Sequence, residues 1–499
     1  MKRFIRIIAL VMAIMTLAGA FVACAETNTP EVTTEGNSGA ASTTAPGDDV
    51  TQAETEYEED DLADSYNFDT TVTIYMWSDY TMMEFYAEES GDIIDDAIFN
   101  RNNDVENRLG ITLEFVEEPG SAKKMTPWMT RAENDWQADN EYDIYAGYSR
   151  CAPQMVLKGM TANLLEHEAF SVEKSWWPKA LTTECTINDK LFFCSGDIST
   201  NLLWMMTGTF YNKELYEKYY AGEKSPMDMV EANEWTMEKL FSITKDIYTD
   251  DGNNKKDTAD TFGYVLYQTN IDAFQTAAGI TSLEKDEDKG LRLADAFLDQ
   301  RCADVCDLVG TFVKSEGVLY NESTSIRNIF YEERALFITD RTFIVAGKDT
   351  TETNKIEFSY GVVPQPKYDT DQETFLTNVG HPFTMYAVNS KTKDIEAAVT
   401  TLEAMGSANH RTVTPAVFEV AMKVRYNDDP QASRMYDILR ENISFDAGRL
   451  YCDMLGKSTA NVFTNTALSG NPSGILSNID KNKRVIEAGI KDIMKFYAD

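Results

Sequence analysis

Alternation of apolar and polar positions opens the body of the chain. Thr71-Val72-Thr73-Ile74-Tyr75-Met76 is rich in β-branched and aromatic residues and ends at Trp77-Ser78-Asp79-Tyr80, which predicts a strand running into a loop. Helical spacing follows from Asp95 to Leu109, and Ile111 to Val116 reads as a second strand. Tyr142-Asp143-Ile144-Tyr145 reads as a third, and Cys185 to Phe193 as a hairpin turning at Asn188-Asp189. Thr236 is placed to cap a helix, with Trp235 and Leu240 as a hydrophobic staple. Ile395, Val399 and Leu402 share one helical face, as do Ile486, Ile490, Ile493 and Tyr497. Strands separated by helices predict an α/β fold with mostly parallel sheets, and 499 residues suffice for two or three domains.

The amino-terminal stretch is of another kind. Lys2, Arg3 and Arg6 precede an apolar run from Ile7 to Ala23, the pattern of a secretory signal peptide over 1–23. Its end, Phe21-Val22-Ala23-Cys24, resembles the lipobox of bacterial lipoproteins, in which the cysteine is lipidated. Cys24 is therefore the expected anchor, with plain secretion as the alternative. From Ala25 to about Tyr66 there is no Lys or Arg and there are twelve Asp or Glu, so 24–66 reads as an anchored, disordered acidic tether. Such a tether serves a capture domain or a surface enzyme equally well.

Charge narrows the classes of partner. The chain carries 45 Lys+Arg against 82 Asp+Glu, a net charge of -37. An acidic surface argues against nucleic acid or anionic lipid, which require a basic one. Six cysteines remain beside Cys24: Cys151, Cys185, Cys194, Cys302, Cys306 and Cys452. Cys302 and Cys306 fall on one stripe with Leu298, Val305, Val309 and Phe312, which predicts core packing. Most are expected free, and a Cys185–Cys194 link across the hairpin is the one pairing singled out.

Catalytic motifs are sparse. The chain has no G-x-S-x-G, H-E-x-x-H, P-loop or G-x-G-x-x-G pattern, and His167, His381 and His410 lack triad-like surroundings. One loop, 249–260, has the spacing of a calcium loop. Asp251, Asn253, Asp257 and Asp260 take its third, fifth, ninth and twelfth positions, where oxygen ligands converge on one ion. Thr249, Asn254 and the short Asp260 depart from that pattern, so a structural calcium and a plain polar turn both remain open. No other cofactor is called for.

Several stretches resemble family 1 extracellular solute-binding proteins of ABC importers, in the form common among Gram-positive gut anaerobes. They include Asp95-Asp96-Ala97-Ile98-Phe99-Asn100-Arg101-Asn102, Ser175-Trp176-Trp177-Pro178, Thr186-Ile187-Asn188-Asp189-Lys190 and Phe210-Tyr211-Asn212-Lys213-Glu214-Leu215. Glu234-Trp235-Thr236, Asp260-Thr261-Phe262-Gly263, Tyr360-Gly361-Val362-Val363-Pro364 and Ser444-Phe445-Asp446-Ala447-Gly448 extend the likeness over nearly the whole body. The resemblance implies a two-lobed periplasmic-binding-protein-like fold of type II, with crossing hinge segments and a ligand in the cleft. It implies 67–206 plus 339–380 as lobe 1 and 207–338 plus 381–499 as lobe 2. The crossings are expected just before Tyr211, near Tyr331 to Phe337, and from Phe383 to Val388. Trp176 and Trp177 are expected to be structural.

The cargo implied is a carbohydrate, probed by aromatic planes for its apolar face and planar polar groups for its hydroxyls. Trp77 and Tyr80 follow the first strand, Asp197 and Trp204 precede the first crossing, Arg341 and Phe343 follow the returning strand, and His381 precedes the last crossing. These seven are the expected ligand-binding residues. Core packing is the competing role for each Trp, and a structural ion pair for Arg341. The resulting expectation is a monomeric, non-catalytic receptor on the extracellular face of the cell membrane, handing a carbohydrate to ABC permease subunits. A lipid-anchored glycoside hydrolase and a receptor for a peptide or other solute are the alternatives.

Overall fold

The computed structural model describes residues 57–138, 140–288, 290–346, 356–425 and 429–498. Among them the strands are β1 Thr70–Trp77, β2 Ile111–Glu118, β3 Ile144–Tyr148, β4 Thr207–Asn212, β5 Tyr248–Thr249, β6 Thr261–Tyr267, β7 Leu283–Lys285, β8 Leu291–Leu293, β9 Val318–Asn321, β10 Ala335–Arg341, β11 Tyr360–Pro364, β12 Thr377–Asn378, β13 Thr384–Val388 and β14 Ile443–Ser444. The signal peptide and Cys24 lie outside the described residues.

Two sheets organise the body. The first has the order β13-β3-β1-β2 and the second β11-β4-β10-β6-β5, with β9 also paired to β6. In the first, β1 runs parallel to both β2 and β3, while β13 is antiparallel to β3. In the second, β10–β6 and β6–β9 are parallel, while β4 is antiparallel to both β10 and β11. The sheets are thus mixed rather than mostly parallel. The reason is the crossing. β4 and β13 enter their lobes from the junction and run away from it, whereas strands of βα units run toward it.

Local signals explain the elements. The helix Ile93–Leu109 begins at Asp92, whose side chain accepts from the Ile94 amide, and ends at Gly110 with φ +64, a left-handed cap that glycine adopts without strain. Thr236 caps Met237–Thr244 as expected, with Trp235 and Leu240 both buried. The Asn188-Asp189 turn is real, with φ +49 and +58 between the bridged Ile187 and Lys190. The helix Ile395–Arg411 packs on Ile93–Leu109. There Gly406 leaves room for Trp176 and Trp177, whose rings a Cβ would meet at 2.9 and 3.0 Å. Both tryptophans are core, and Trp177 Nε1 donates to Glu403 Oε2 at 3.0 Å.

The expected lobe boundaries need correction after residue 338. Strand β10 is held on both sides within the second sheet, Ile338 facing Phe210 of β4 and Val265 of β6, so the chain does not cross near Tyr331 to Phe337. Strand β11 follows it into that same sheet. The segment 339–380 therefore builds the second lobe, and β13 with Ile395–Arg411 returns to the first. A further crossing, unforeseen, follows Ile395–Arg411: Ala416–Arg425 packs on both Ile93–Leu109 and Pro430–Glu441, and the latter packs on β11.

Two smaller expectations also fail. Residues 57–66 are not free tether. Asp60 accepts from Arg108 Nη2 at 2.6 Å and from Ser407 Oγ at 2.5 Å, and Leu62 and Tyr66 pack against the core. Cys185 and Cys194 are both free, buried thiols. Cys302 and Cys306 are buried with Val305, Val309 and Phe312, but Leu298 is exposed because its short helix ends before theirs begins.

Candidate functional site

Carboxyl ends of strands from both sheets meet at one cleft of about 480 Å³. Tyr148 and Arg150 come from the end of β3, and Tyr267, Asn270 and Asp272 from the end of β6 and the turn after it. Arg341 ends β10, while Asn378, Gly380 and His381 belong to the segment crossing into β13. Arg449, Asp453, Asn461 and Asn465 close the cleft from the carboxyl-terminal helices. A volume of this size and a lining of side-chain donors and acceptors suit a small polar ligand. A larger hollow of about 770 Å³ lies at the opposite, amino ends of β1 and β2. Open α/β sheets place ligands at the carboxyl ends, so the smaller cleft is the candidate.

Ion pairs tie the lining into place. Arg449 Nε donates to Asp272 Oδ2 at 3.0 Å, and its Nη1 to Asn378 Oδ1 at 2.6 Å and to the Val379 carbonyl at 2.8 Å. Asp272 Oδ1 is buried and accepts no hydrogen bond from any described residue. Arg150 of the first lobe grips Asp453 of the second with both Nε and Nη2, and Gln154 Nε2 adds a bond of 3.2 Å to the same carboxylate. The Ser149 hydroxyl donates to the His381 carbonyl at 2.7 Å. His381 itself is kept neutral. Burial, then the fields of Arg449, Arg150 and Arg341, push its imidazole well below the ordinary value.

Of the seven expected ligand residues, Arg341 and His381 line this cleft. Trp77 does not. It is wholly buried, with Nε1 donating to Thr384 Oγ1 at 2.8 Å, and that hydroxyl in turn donates to the buried Glu84. Glu84 also accepts from the Asn201 amide at 2.9 Å and from Ser199 Oγ at 3.1 Å, so the network spans the crossing. Trp204 is 1% exposed within the helix Thr200–Trp204 and has no face to offer a solute. Tyr80 packs its ring on Trp77 and Phe85. Asp197 faces elsewhere, bonded to His410 Nδ1 at 2.6 Å and Arg440 Nη2 at 3.3 Å. Phe343 lies beneath the guanidinium groups of Arg327 and Arg341, at 4.8 and 5.1 Å.

The residues that sequence reasoning missed obey the rule that found Trp77. Tyr148-Ser149-Arg150 and Tyr267 to Asp272 lie at and just beyond the ends of β3 and β6. Arg449 and Asp453 had no such signal, since a helix after β14 brings them from far along the chain.

In the 249–260 loop, Asp250, Asp251 and Asp260 offer oxygen atoms within 4.8 Å of one another. Asn253 and Asp257 turn to each other instead, with Nδ2 donating to Oδ2 at 3.1 Å. Asp260 accepts from the Asp251 and Asp257 amides, which holds the loop closed on itself.

No family model and no curated protein matches this chain. Solved structures do. The GacH receptor of Streptomyces glaucescens GLA.O, solved unliganded and with acarbose, is 13% identical with a TM-score of 0.52, over 84% of this chain and 98% of its own. The maltose-binding protein MalE of Listeria monocytogenes, with maltose, is 15% identical with a TM-score of 0.53, over 85% and 98%. UgpB of Mycobacterium tuberculosis, with glycerophosphocholine, is 13% identical with a TM-score of 0.53, over 83% and 98%. With two α/β lobes, crossing segments and a cleft at the strand ends, the chain has the MalE-like two-lobed periplasmic-binding-protein fold.

Proposed function

We propose that this protein is a non-catalytic solute-binding protein that captures a carbohydrate in the interlobe cleft and delivers it to an ABC permease. The observation that carries the reading is the cleft itself, built from both lobes and lined by asparagines, arginines and carboxylates suited to a ring of hydroxyls. Asp272, on the cleft lining, has one buried carboxylate oxygen without a partner among the described residues, an acceptor for a sugar hydroxyl once the lobes adjust. Acarbose and maltose in structures of the same fold support the substrate class. Crossing segments allow the lobes to close on the solute and exclude water. The test is thermal unfolding of the purified protein with mono- and oligosaccharides. Ligand at 100 times its dissociation constant should add about 2.7 kcal/mol, with the sugar recovered intact. Turnover of the sugar would instead favour a surface hydrolase.

The same reading includes anchoring through Cys24 at the extracellular face of the membrane, on the strength of the basic n-region and apolar run before it. Cys24→Ala should release the protein from the membrane fraction, and unchanged fractionation would remove the anchor. It also includes calcium at Asp250, Asp251 and Asp260, whose oxygen donors suit a hard cation. Chelator should lower the melting temperature and added calcium restore it. Identical curves would leave a self-bonded polar turn.

A further inference from the structure

Arg341 differs from the other arginines of the cleft. Arg449 and Arg150 each commit Nε and Nη2 to a carboxylate of their own, Asp272 and Asp453. Among the described residues the Arg341 side chain hydrogen-bonds only to Asp340, through Nε to Oδ1 at 3.4 Å. That carboxylate is already engaged. Its Oδ2 accepts from Arg327 Nε at 2.5 Å, and its Oδ1 from the Arg341 amide at 2.8 Å and Asn270 Nδ2 at 3.3 Å. Neither terminal nitrogen of Arg341 bonds to any described residue, although the side chain is only 14% exposed.

The position of this side chain is built. Its guanidinium rests on the ring of Phe343, 5.1 Å from the centroid. On another side the crossing segment presents Gly380, where a Cβ would stand 2.6 Å from Arg341 Cδ. A guanidinium so placed, with its fork of donors open to the cleft, matches an oxyanion in two-point geometry. Beside it the lining carboxylates are taken up by their own arginines, and His381 adds no negative charge. The lining thus carries three arginines, Arg150, Arg341 and Arg449, against two carboxylates, Asp272 and Asp453, on a chain whose net charge is -37.

We propose that the captured saccharide carries an anionic group, a carboxylate or a phosphate, and that Arg341 binds it while Asp272 takes a neighbouring hydroxyl. The inference rests on the carbohydrate-binding reading above.

The experiment is calorimetric titration of the full protein with mono- to trisaccharides in matched neutral, uronate and 6-phosphate forms. The expected result is that a charged form binds at least about tenfold tighter than its neutral twin, the range of a hydrogen-bonded charge pair, with the advantage shrinking in salt. The form preferred tells a carboxylate from a phosphate. Arg341→Gln should abolish the preference, Arg341→Lys should keep part of it, and Gly380→Ala should weaken the charged form by crowding the arginine. If Arg341→Gln fails to fold, the wild-type comparison and Gly380→Ala still decide. Neutral forms that bind as tightly as their charged twins overturn this inference alone and leave carbohydrate capture standing. A panel in which no form binds overturns both.

Discussion

Strands β1 and β10, one in each lobe, both run toward the cleft and both end in a large side chain that sequence position marks for the ligand. Trp77 and Arg341 nevertheless have opposite fates. The Trp77 ring is covered by Tyr80, Tyr148 and the Thr384 hydroxyl, and its one polar atom is satisfied within the protein. Arg341, though mostly buried, keeps its terminal nitrogens without a bond to any described residue, because the crossing segment passes it at a glycine and its carboxylate neighbour is shared with Arg327. Strand direction thus brings a residue to the rim. What the next segment lays over it decides whether it becomes scaffold or site.

The largest expected effect breaks the comparison at its buried member. Trp77→Ala removes a wholly buried ring and should lower stability by about 3–5 kcal/mol in chemical denaturation, with ligand affinity of the folded protein little changed. A stable variant that loses affinity would mean that the ring reaches the solute, and the contrast with Arg341 would collapse.

Covered polar groups respond to pH where open ones do not. Glu403 is buried beneath Trp177, and burial pushes its carboxyl up to about 7, against the bond from Trp177. Between the ordinary value of 4.5 and about 7 the folded protein therefore holds more protons than the unfolded chain, so this group's contribution to stability falls as pH rises through that window. Melting of the wild type and Glu403→Gln at pH 5 and 7.5 should differ by about 2 kcal/mol in pH response, the variant being flatter. Parallel curves would place water at Glu403.

The smallest effect concerns the link across the cleft. Asp453→Asn weakens the partly exposed pair with Arg150, which should change stability by no more than about 1 kcal/mol. Because the pair joins the lobes, the variant should show a larger radius of gyration in X-ray scattering before ligand is added. An unchanged radius would show that other contacts hold the lobes.

Much of the local structure was legible. The alternation at Thr71 to Met76, the Thr236 cap, the Asn188-Asp189 turn and the stripe ending at Tyr497 all stand as read, because each depends on neighbours within a few residues. The two-lobed fold was legible too, through its resemblance. The lobe assignment after residue 338 was not, since β10 and β11 owe their places to pairing with β4, over a hundred residues away. The acids at 58–61 read as tether because their partners, Arg108, Lys174 and Arg411, lie far along the chain.

The candidate site divides in the same way. Sequence by itself offered Arg341 as following a strand and His381 as preceding a crossing, and both line the cleft. It also determined the chemistry available there, since the arginines and carboxylates are read directly. Only the tertiary structure decided that Trp77 and Trp204 are core, that Asp197 serves His410, and that Arg449 and Asp453 complete the cleft. The physical reason is that burial and charge pairing are properties of surfaces brought together by folding. A side chain's own type and spacing fix where it points, but the segment packed over it fixes whether water, protein or ligand meets it.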